Sequence, residues 1–296
     1  VKLGRLGLAA QLALVFVLFA AGILLVLGLL AYGSGRAGLQ AATESELLSK
    51  AVDIETALDR WVAERRSDLT IFASSPDLLN EMEALAAAAP NSGAAAAAHA
   101  QLVRALQPHA GAGRPYLVVL VLDPVTAQVL AATDPTEEGK YRENQPYFLN
   151  GRNGPYVQNV YYSTTLQRPA MTVSAPLRAA DGRLVAVLAG RIDLAEMNAI
   201  VQARTGLRQT DEAFLVNSAH LIVTLPRQAP NVAVLQHGLY TAAVNQCLTQ
   251  TSGVTSAPDY RGVPALIVYR WLPERKMCLI VKLDQAEAFA SVWAFG

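Results

Sequence analysis

The stretch LVAVLAGRIDLAE, residues 184–196, has an echo in MCLIVKLDQAE, residues 277–287. Both begin as apolar runs of strand length, and both close on an aspartate followed three positions later by a glutamate: Asp193 with Glu196, and Asp284 with Glu287. Each run is preceded by the other arm of a hairpin. Residues 170–176 and the turn Asp181-Gly182 precede the first; residues 264–272 and a turn at 273–276 precede the second. Further back, residues 116–122, the turn Asp123-Pro124 and residues 128–132 form an earlier hairpin, matched by residues 213–217, a turn at 218–220 and residues 221–225. One order of elements therefore occurs twice, which predicts two tandem α+β modules, each an antiparallel sheet carrying helices.

The N-terminal end has a different texture. From Leu6 to Gly35 no charged residue occurs, and residues 12–32 are almost wholly Ala, Val, Leu, Ile, Phe and Gly. That length crosses a hydrocarbon core of about 30 Å at about 1.5 Å per residue. A secretory signal peptide is the rival reading, but its apolar core runs only about 7 to 15 residues before a small-residue cleavage site. Lys2 and Arg5 put the N-terminus in the cytoplasm and the rest of the chain outside, with Arg36 on the far side as the counter-indication. Residues 1–36 are thus expected to be a cytoplasmic N-terminus and a transmembrane helix held in lipid.

Beyond the anchor, Leu47, Ala51, Ile54, Leu58, Val62, Leu69 and Phe72 recur mostly at steps of three or four, with Arg65 filling one gap. That period predicts a long amphipathic helix continuing straight out of the membrane. It reads both as a stalk with a homodimer seam and as a helix packed along its own domain. Ser75-Pro76 restarts a helix, with Ser as cap and Pro in the first turn. The Ala-rich residues 86–98, broken by Pro90 and Gly93, read as a connector before a short helix near residues 101–106.

Lys plus Arg number 24 and Asp plus Glu number 24, with no basic run, so the concentrated positive charge that a nucleic acid needs is missing. His99, His109, His220 and His237 share no zinc-ligand spacing with one another or with the two cysteines. There is no G-x-S-x-G and no H-E-x-x-H, and DPTEEGK at residues 134–140 lacks the first glycine of a phosphate loop and reads as a turn. Neither catalysis, a metal nor a cofactor is expected. In an exported domain Cys247 and Cys278 are expected to pair, the alternative being two buried thiols.

A long stalk helix leading into two such modules resembles the double Cache family of bacterial receptor sensor domains. The residues that carry the likeness are QPYF (145–148), GPY (154–156), VYYS (160–163), PAMTVSAP (169–176), Asp181-Gly182 and Ile192-Asp193 in the first module. In the second they are Ser252-Gly253, DYRGVP (259–264) and EAF (287–289). The resemblance implies two tandem PAS-like antiparallel-sheet modules, a membrane-distal one at residues 111–196 and a membrane-proximal one at 197–288, after a stalk and helical connector at 37–110. Residues 289–296 would then start a second transmembrane helix, leading to a cytoplasmic output module of histidine kinase, nucleotide cyclase, diguanylate cyclase or chemoreceptor type.

In this family the distal module usually holds the ligand. Members that bind amino acids use a tyrosine, an arginine for the carboxylate, a Trp-Tyr pair, a further tyrosine and an aspartate for the ammonium. By order these fall here on Tyr141, Gln145, Tyr147 with Phe148, Tyr161 or Tyr162, and Asp193. Gln145 departs from the pattern, because an amide cannot grip a carboxylate as a guanidinium does. Arg142 and Arg168 are the nearby cations that would replace it. Tyr147, Phe148 and a tyrosine at 161 or 162 suit a small organic ligand, amine or amino-acid-like, walled by aromatic rings. Asp193 reads either as a ligand contact or as a helix cap, since Asp284 repeats its setting.

The expected function is small-molecule sensing by the extracytoplasmic part of a receptor in the bacterial inner membrane, with the signal passed through the stalk. The alternative is a protein-interaction or dimerisation ectodomain without a small ligand.

Overall fold

The structure, a computed structural model, describes residues 8–203 and 208–290. Helix α1 (Leu8–Ala73) runs 66 residues unbroken, about 100 Å at 1.5 Å per residue. Among the described residues it alone is long and apolar enough to cross a membrane, and Phe16, Phe19, Leu24 and Leu25 lie fully on its surface. Past the apolar part, Leu47, Ala51, Ile54, Leu58, Trp61 and Leu69 form a buried stripe. Val62 and Phe72 only flank that stripe, and Trp61 takes the central place that the periodicity assigned to Val62.

Two short helices cap the far end. Helix α2 (Pro76–Ala87) starts where Ser75 Oγ accepts from the Leu78 amide at 3.4 Å. Helix α3 (Gly93–Leu106) is longer than the sequence suggested: Ser92 caps the Ala95 amide at 3.1 Å, and the alanines expected to be connector extend the helix. Alanine's high helix propensity prevails once a cap sets the start.

The first sheet comprises β1 (Val118–Leu122), β2 (Val129–Ala132), β3 (Tyr156–Ser163), β4 (Arg168–Arg178) and β5 (Leu184–Ile192), in the order β2-β1-β5-β4-β3. Helix α4 (Pro146–Gly151) precedes β3, and α5 (Ala195–Val201) follows β5. The second sheet comprises β6 (Glu212–Asn217), β7 (Gly253–Pro258), β8 (Pro264–Leu272) and β9 (Met277–Asp284), in the order β6-β9-β8-β7, with α6 (Ala242–Leu248) before β7 and α7 (Gln285–Ala288) after β9. Position for position, β1-β5-β4-β3 matches β6-β9-β8-β7, which is the repeat read from the sequence. The difference lies at residues 221–225, expected as a strand. Val223 does pair with Leu215, but Ile222 bonds His237 and Leu235 instead, and the ladder stops at isolated bridges.

One face of each sheet packs on α1 in a shared apolar core. Lys50, Glu55 and Asp59 of α1 pair with Asp211, Arg270 and Arg275 of the second module, whereas Arg65 pairs with Glu196 and its carbonyl accepts from Tyr116 of the first. The first sheet therefore lies farther along α1 from the apolar segment. The other face of the first sheet is covered by α4, and that of the second by α6. Cys247 of α6 is disulfide-bonded to Cys278 of β9, Cα to Cα 5.9 Å, so the expected pair forms and fixes α6 to its sheet.

The two repeated aspartates behave differently from the shared cap that the sequence implied. Asp193 Oδ1 accepts from the Ala195 amide at 3.2 Å, one residue ahead of the helix cap position. Asp284 sits at the start of α7 but its side chain caps nothing there, because Lys282 and Arg261 claim it. Arg36 lies over the Phe289 ring at 5.1 Å, joining the base of the stalk to the end of α7. Most of the second transmembrane helix expected at 289–296 falls outside the described residues.

Candidate ligand-binding site

Strand β5 is apolar except for Arg191, which is only 3% exposed and faces away from α1. Register places it between Val118 of β1 and Thr172 of β4. A guanidinium at such a depth must be paired, and residues 133–145 supply the partner. Asp134 accepts from the Thr136 amide at 3.0 Å to start a single 3₁₀ turn, and this turn carries Glu137 inward until it is 1% exposed. The loop is stitched to β2 by Gly139 and Lys140, which bond Val129 in both directions at 2.9 Å. Gly139 has φ +76°, a conformation that favours glycine.

Glu137 Oε2 accepts from Arg142 Nη2 at 2.7 Å and from Arg191 Nη2 at 3.0 Å, while Lys140 Nζ lies 3.7 Å from Oε1. Burial pushes the Glu137 carboxyl up, but the two guanidiniums outweigh burial and hold it down at about 2. Tyr147 of α4 is 1% exposed, and burial raises its hydroxyl to about 12 against the pull of the Arg191 cation. Tyr161 Oη bonds Thr172 Oγ1 at 2.8 Å and belongs to the same electrostatic group as Tyr147 and Arg191.

The pairing is incomplete. Among the described residues, Arg191 Nε and Nη1, Arg142 Nε and the Tyr147 hydroxyl are buried without a well-formed hydrogen bond, although the Tyr147 hydroxyl lies close enough to the Arg191 guanidinium to interact with it. A buried donor left unpaired costs about 1–3 kcal/mol. The second module provides the contrast. There Lys282, fully buried, reaches Asp259 at 2.9 Å, Asp284 at 3.1 Å, Gln228 at 3.2 Å and Glu212 at 3.5 Å, and Tyr260 donates to Glu212 at 2.8 Å. None of these groups is left unpaired.

The sequence candidates divide around this cluster. Arg142, Tyr147 and Tyr161 meet in it, and Phe148 packs beside Tyr147 in the same apolar group. Gln145 stands at the start of α4 without capping it by its side chain; Gln158 Oε1 accepts from the Tyr147 amide at 3.1 Å instead. Tyr141 is 58% exposed, and Tyr162 turns outward to donate to the Gln167 carbonyl at 3.0 Å. Asp193 and Arg168 face each other at the surface, 3.8 Å apart. Sequence reading missed Glu137 and Arg191. The signal for Arg191 was present, as the one charged residue in an otherwise apolar strand; Glu137 lay in a segment that turn formers disguised.

A concavity of about 440 Å³ lies elsewhere, between Asp59, Val62 and Arg66 of α1, Pro155 and Asn159, and Arg275. Arg275 Nε is buried there without a hydrogen-bond partner, but its guanidinium is held by the Leu58 carbonyl and Asp59. No set of three potential metal ligands occurs among the described residues.

The Cache domain family model matches residues 36–292. Among solved structures, the chain is similar to the sensor domain of the V. cholerae histidine kinase DctB, at 12% identity and TM-score 0.59 over 82% of this chain and 98% of that one. It is similar also to the ligand-binding domain of the Pseudomonas aeruginosa amino-acid chemoreceptor PctC in complex with GABA, at 17% identity and TM-score 0.54 over 82% and 100%. A third is the ligand-binding domain of Mlp24 with asparagine, at 13% identity and TM-score 0.54 over 87% and 98%. No curated protein matches the sequence.

Proposed function

Because the chain belongs to the Cache domain family of extracytoplasmic, non-catalytic sensor domains, we propose that it senses a small organic molecule carrying a carboxylate, bound on the outer face of the first sheet. The membrane-distal module is residues 111–196 and the proximal one 197–288. The ligand lies against Arg191, Arg142, Tyr147 and Tyr161, beneath residues 133–145 and α4. The observation that carries this reading is the set of unpaired buried donors on Arg191, Arg142 and Tyr147. The free guanidinium nitrogens can only donate and the Tyr147 hydroxyl can donate as well, so the cluster calls for a ligand that brings acceptors.

Arg191 answers the difficulty posed by Gln145. The cation for the ligand's carboxylate comes from β5 rather than from the start of α4. The molecules named with similar folds, GABA and asparagine, each carry a carboxylate, and this supports the same class here. Phe148 and the ring of Tyr147 wall the apolar part of the ligand.

The signal leaves through α1, which packs on both sheets and leads into the lipid. Leu48 and Val52, exposed on the stalk one turn apart, are the seam of a homodimer across the bacterial inner membrane. The test is a thermal-shift screen of the full chain in detergent micelles with amino acids, GABA and small dicarboxylates. A saturable rise in Tm with a carboxylate ligand, absent with the corresponding amide or amine, is the expected result. Stabilisation only by carboxylate-free compounds would overturn it.

A further inference from the structure

We infer that Glu137 is an internal stand-in for the ligand's carboxylate, and that binding displaces it from Arg191 and Arg142. This rests on the ligand site proposed above and adds to it how the site is gated. Glu137 already provides what a ligand carboxylate would provide: one oxygen shared between two guanidiniums, at 2.7 and 3.0 Å.

The geometry of the guanidinium makes the two carboxylates rivals. A two-pronged grip on arginine uses either Nε with Nη2 or Nη1 with Nη2. Both edges of Arg191 include Nη2, which directs one N–H along each, and Glu137 Oε2 takes one of these two. A ligand carboxylate on that edge must replace Glu137, and one on the other edge shares Nη2 with Glu137 Oε2, where the two carboxylates repel. Exchanging one for the other keeps the local charge unchanged and lets the newcomer reach Nε or Nη1 as well.

The loop is built for such an exchange. Its neighbour Glu138 points the other way, accepting from the Ala132 amide at 3.0 Å and facing His99 of α3 at 3.1 Å. Gly139, with its positive φ, follows directly. Displacement of Glu137 therefore leaves the loop hinged on Glu138 and on the bonds to Val129, so that the segment carrying the carboxylate swings while its base stays in place. A ligand without a carboxylate has no means of displacing Glu137, so the latch also selects ligands.

The experiment uses acetate as the probe on the full chain in detergent micelles, comparing wild type, Glu137→Ala, Glu137→Gln and the double variant Glu137→Ala/Arg191→Gln. Sodium acetate is titrated against sodium chloride at equal ionic strength, with Tm as the readout and acetamide as the neutral control. The latch predicts that Glu137→Ala is destabilised in chloride and restored by acetate but not by acetamide, with an apparent affinity at least about tenfold tighter than that of wild type. The double variant loses this response. Glu137→Gln, which keeps the side-chain volume, gives the same ranking if the alanine variant does not fold in chloride. Equal acetate affinity in wild type and both single variants would overturn the latch while leaving the anion site standing. No acetate response in any variant would overturn both.

Discussion

The Asn159 side-chain amide of β3 donates to the main-chain carbonyl of Arg275 at 3.0 Å, and the Arg275 guanidinium reaches the Leu58 carbonyl at 3.2 Å and Asp59 at 2.7 Å on α1. One turn of the second module thus touches both the first sheet and the stalk. Asn159 lies in the break in register between Gln158 and Tyr161, the segment that also carries the Tyr147 contact and the Tyr161 hydroxyl. Asn159 and Arg275 therefore give the proposed ligand site a direct physical connection to the stalk.

Arg275→Ala is expected to leave ligand affinity within about twofold of wild type while lowering stability by about 1–3 kcal/mol. Hydrogen exchange along residues 55–62 of α1 is the direct measure. Ligand slows that exchange in wild type, and the variant loses the ligand effect; a retained effect would remove Arg275 from the path.

The carboxyl of Glu137, held down at about 2 against an ordinary value near 4.5, contributes stability that is present above about pH 4.5 and disappears as pH falls toward 2. The contribution is on the order of 1–3 kcal/mol after allowance for relaxation. Melting curves of wild type and Glu137→Gln between pH 2 and pH 6 are expected to converge at the acid end and separate above it. Parallel curves across the whole range would contradict the assignment.

The Cys247–Cys278 bond closes a sequence separation of 31 residues, worth about 3–4 kcal/mol in the chain-entropy account. A strong reductant is expected to lower Tm, with the loss confined to the second module. With the ligand in the first module, as proposed, its affinity is expected to stay unchanged; a parallel loss of binding would show that the modules are not separable in this way.

Lys282 is held by three carboxylates and an amide. Lys282→Met leaves Glu212, Asp259 and Asp284 buried together without their shared cation, at a cost of about 3–5 kcal/mol. Mild acid, which neutralises carboxylates, should restore part of that loss. A variant as stable as wild type at pH 7 would mean the network is not a structural keystone.

The fold was legible because hydrophobic period and turn chemistry agree along most of the chain. Residues 184–192 and 277–283 read as strands and are strands, and Ser75-Pro76 reads as a helix start and is one. Legibility failed where distant partners decide the outcome. Residues 221–225 have strand texture, yet the loop at 235–239 takes half of their backbone bonds. The alanines at 94–98 have connector texture beside Pro90 and Gly93, and the Ser92 cap decides for helix. The buried cluster proposed as the site was legible by halves for a related reason. Arg142, Tyr147 and Phe148 sit in a local motif, whereas the contact between Glu137 and Arg191 spans 54 residues and arises only when the loop folds over β5.

The central claim is that Arg191 takes the ligand's carboxylate, and calorimetric titration of the best-binding carboxylate into wild type, Arg191→Lys and Arg191→Gln tests it most directly. Lysine keeps the charge but loses the fork, so affinity should fall by about tenfold in Arg191→Lys and by about 100-fold or more in Arg191→Gln. Affinities equal to wild type in both variants would contradict the account.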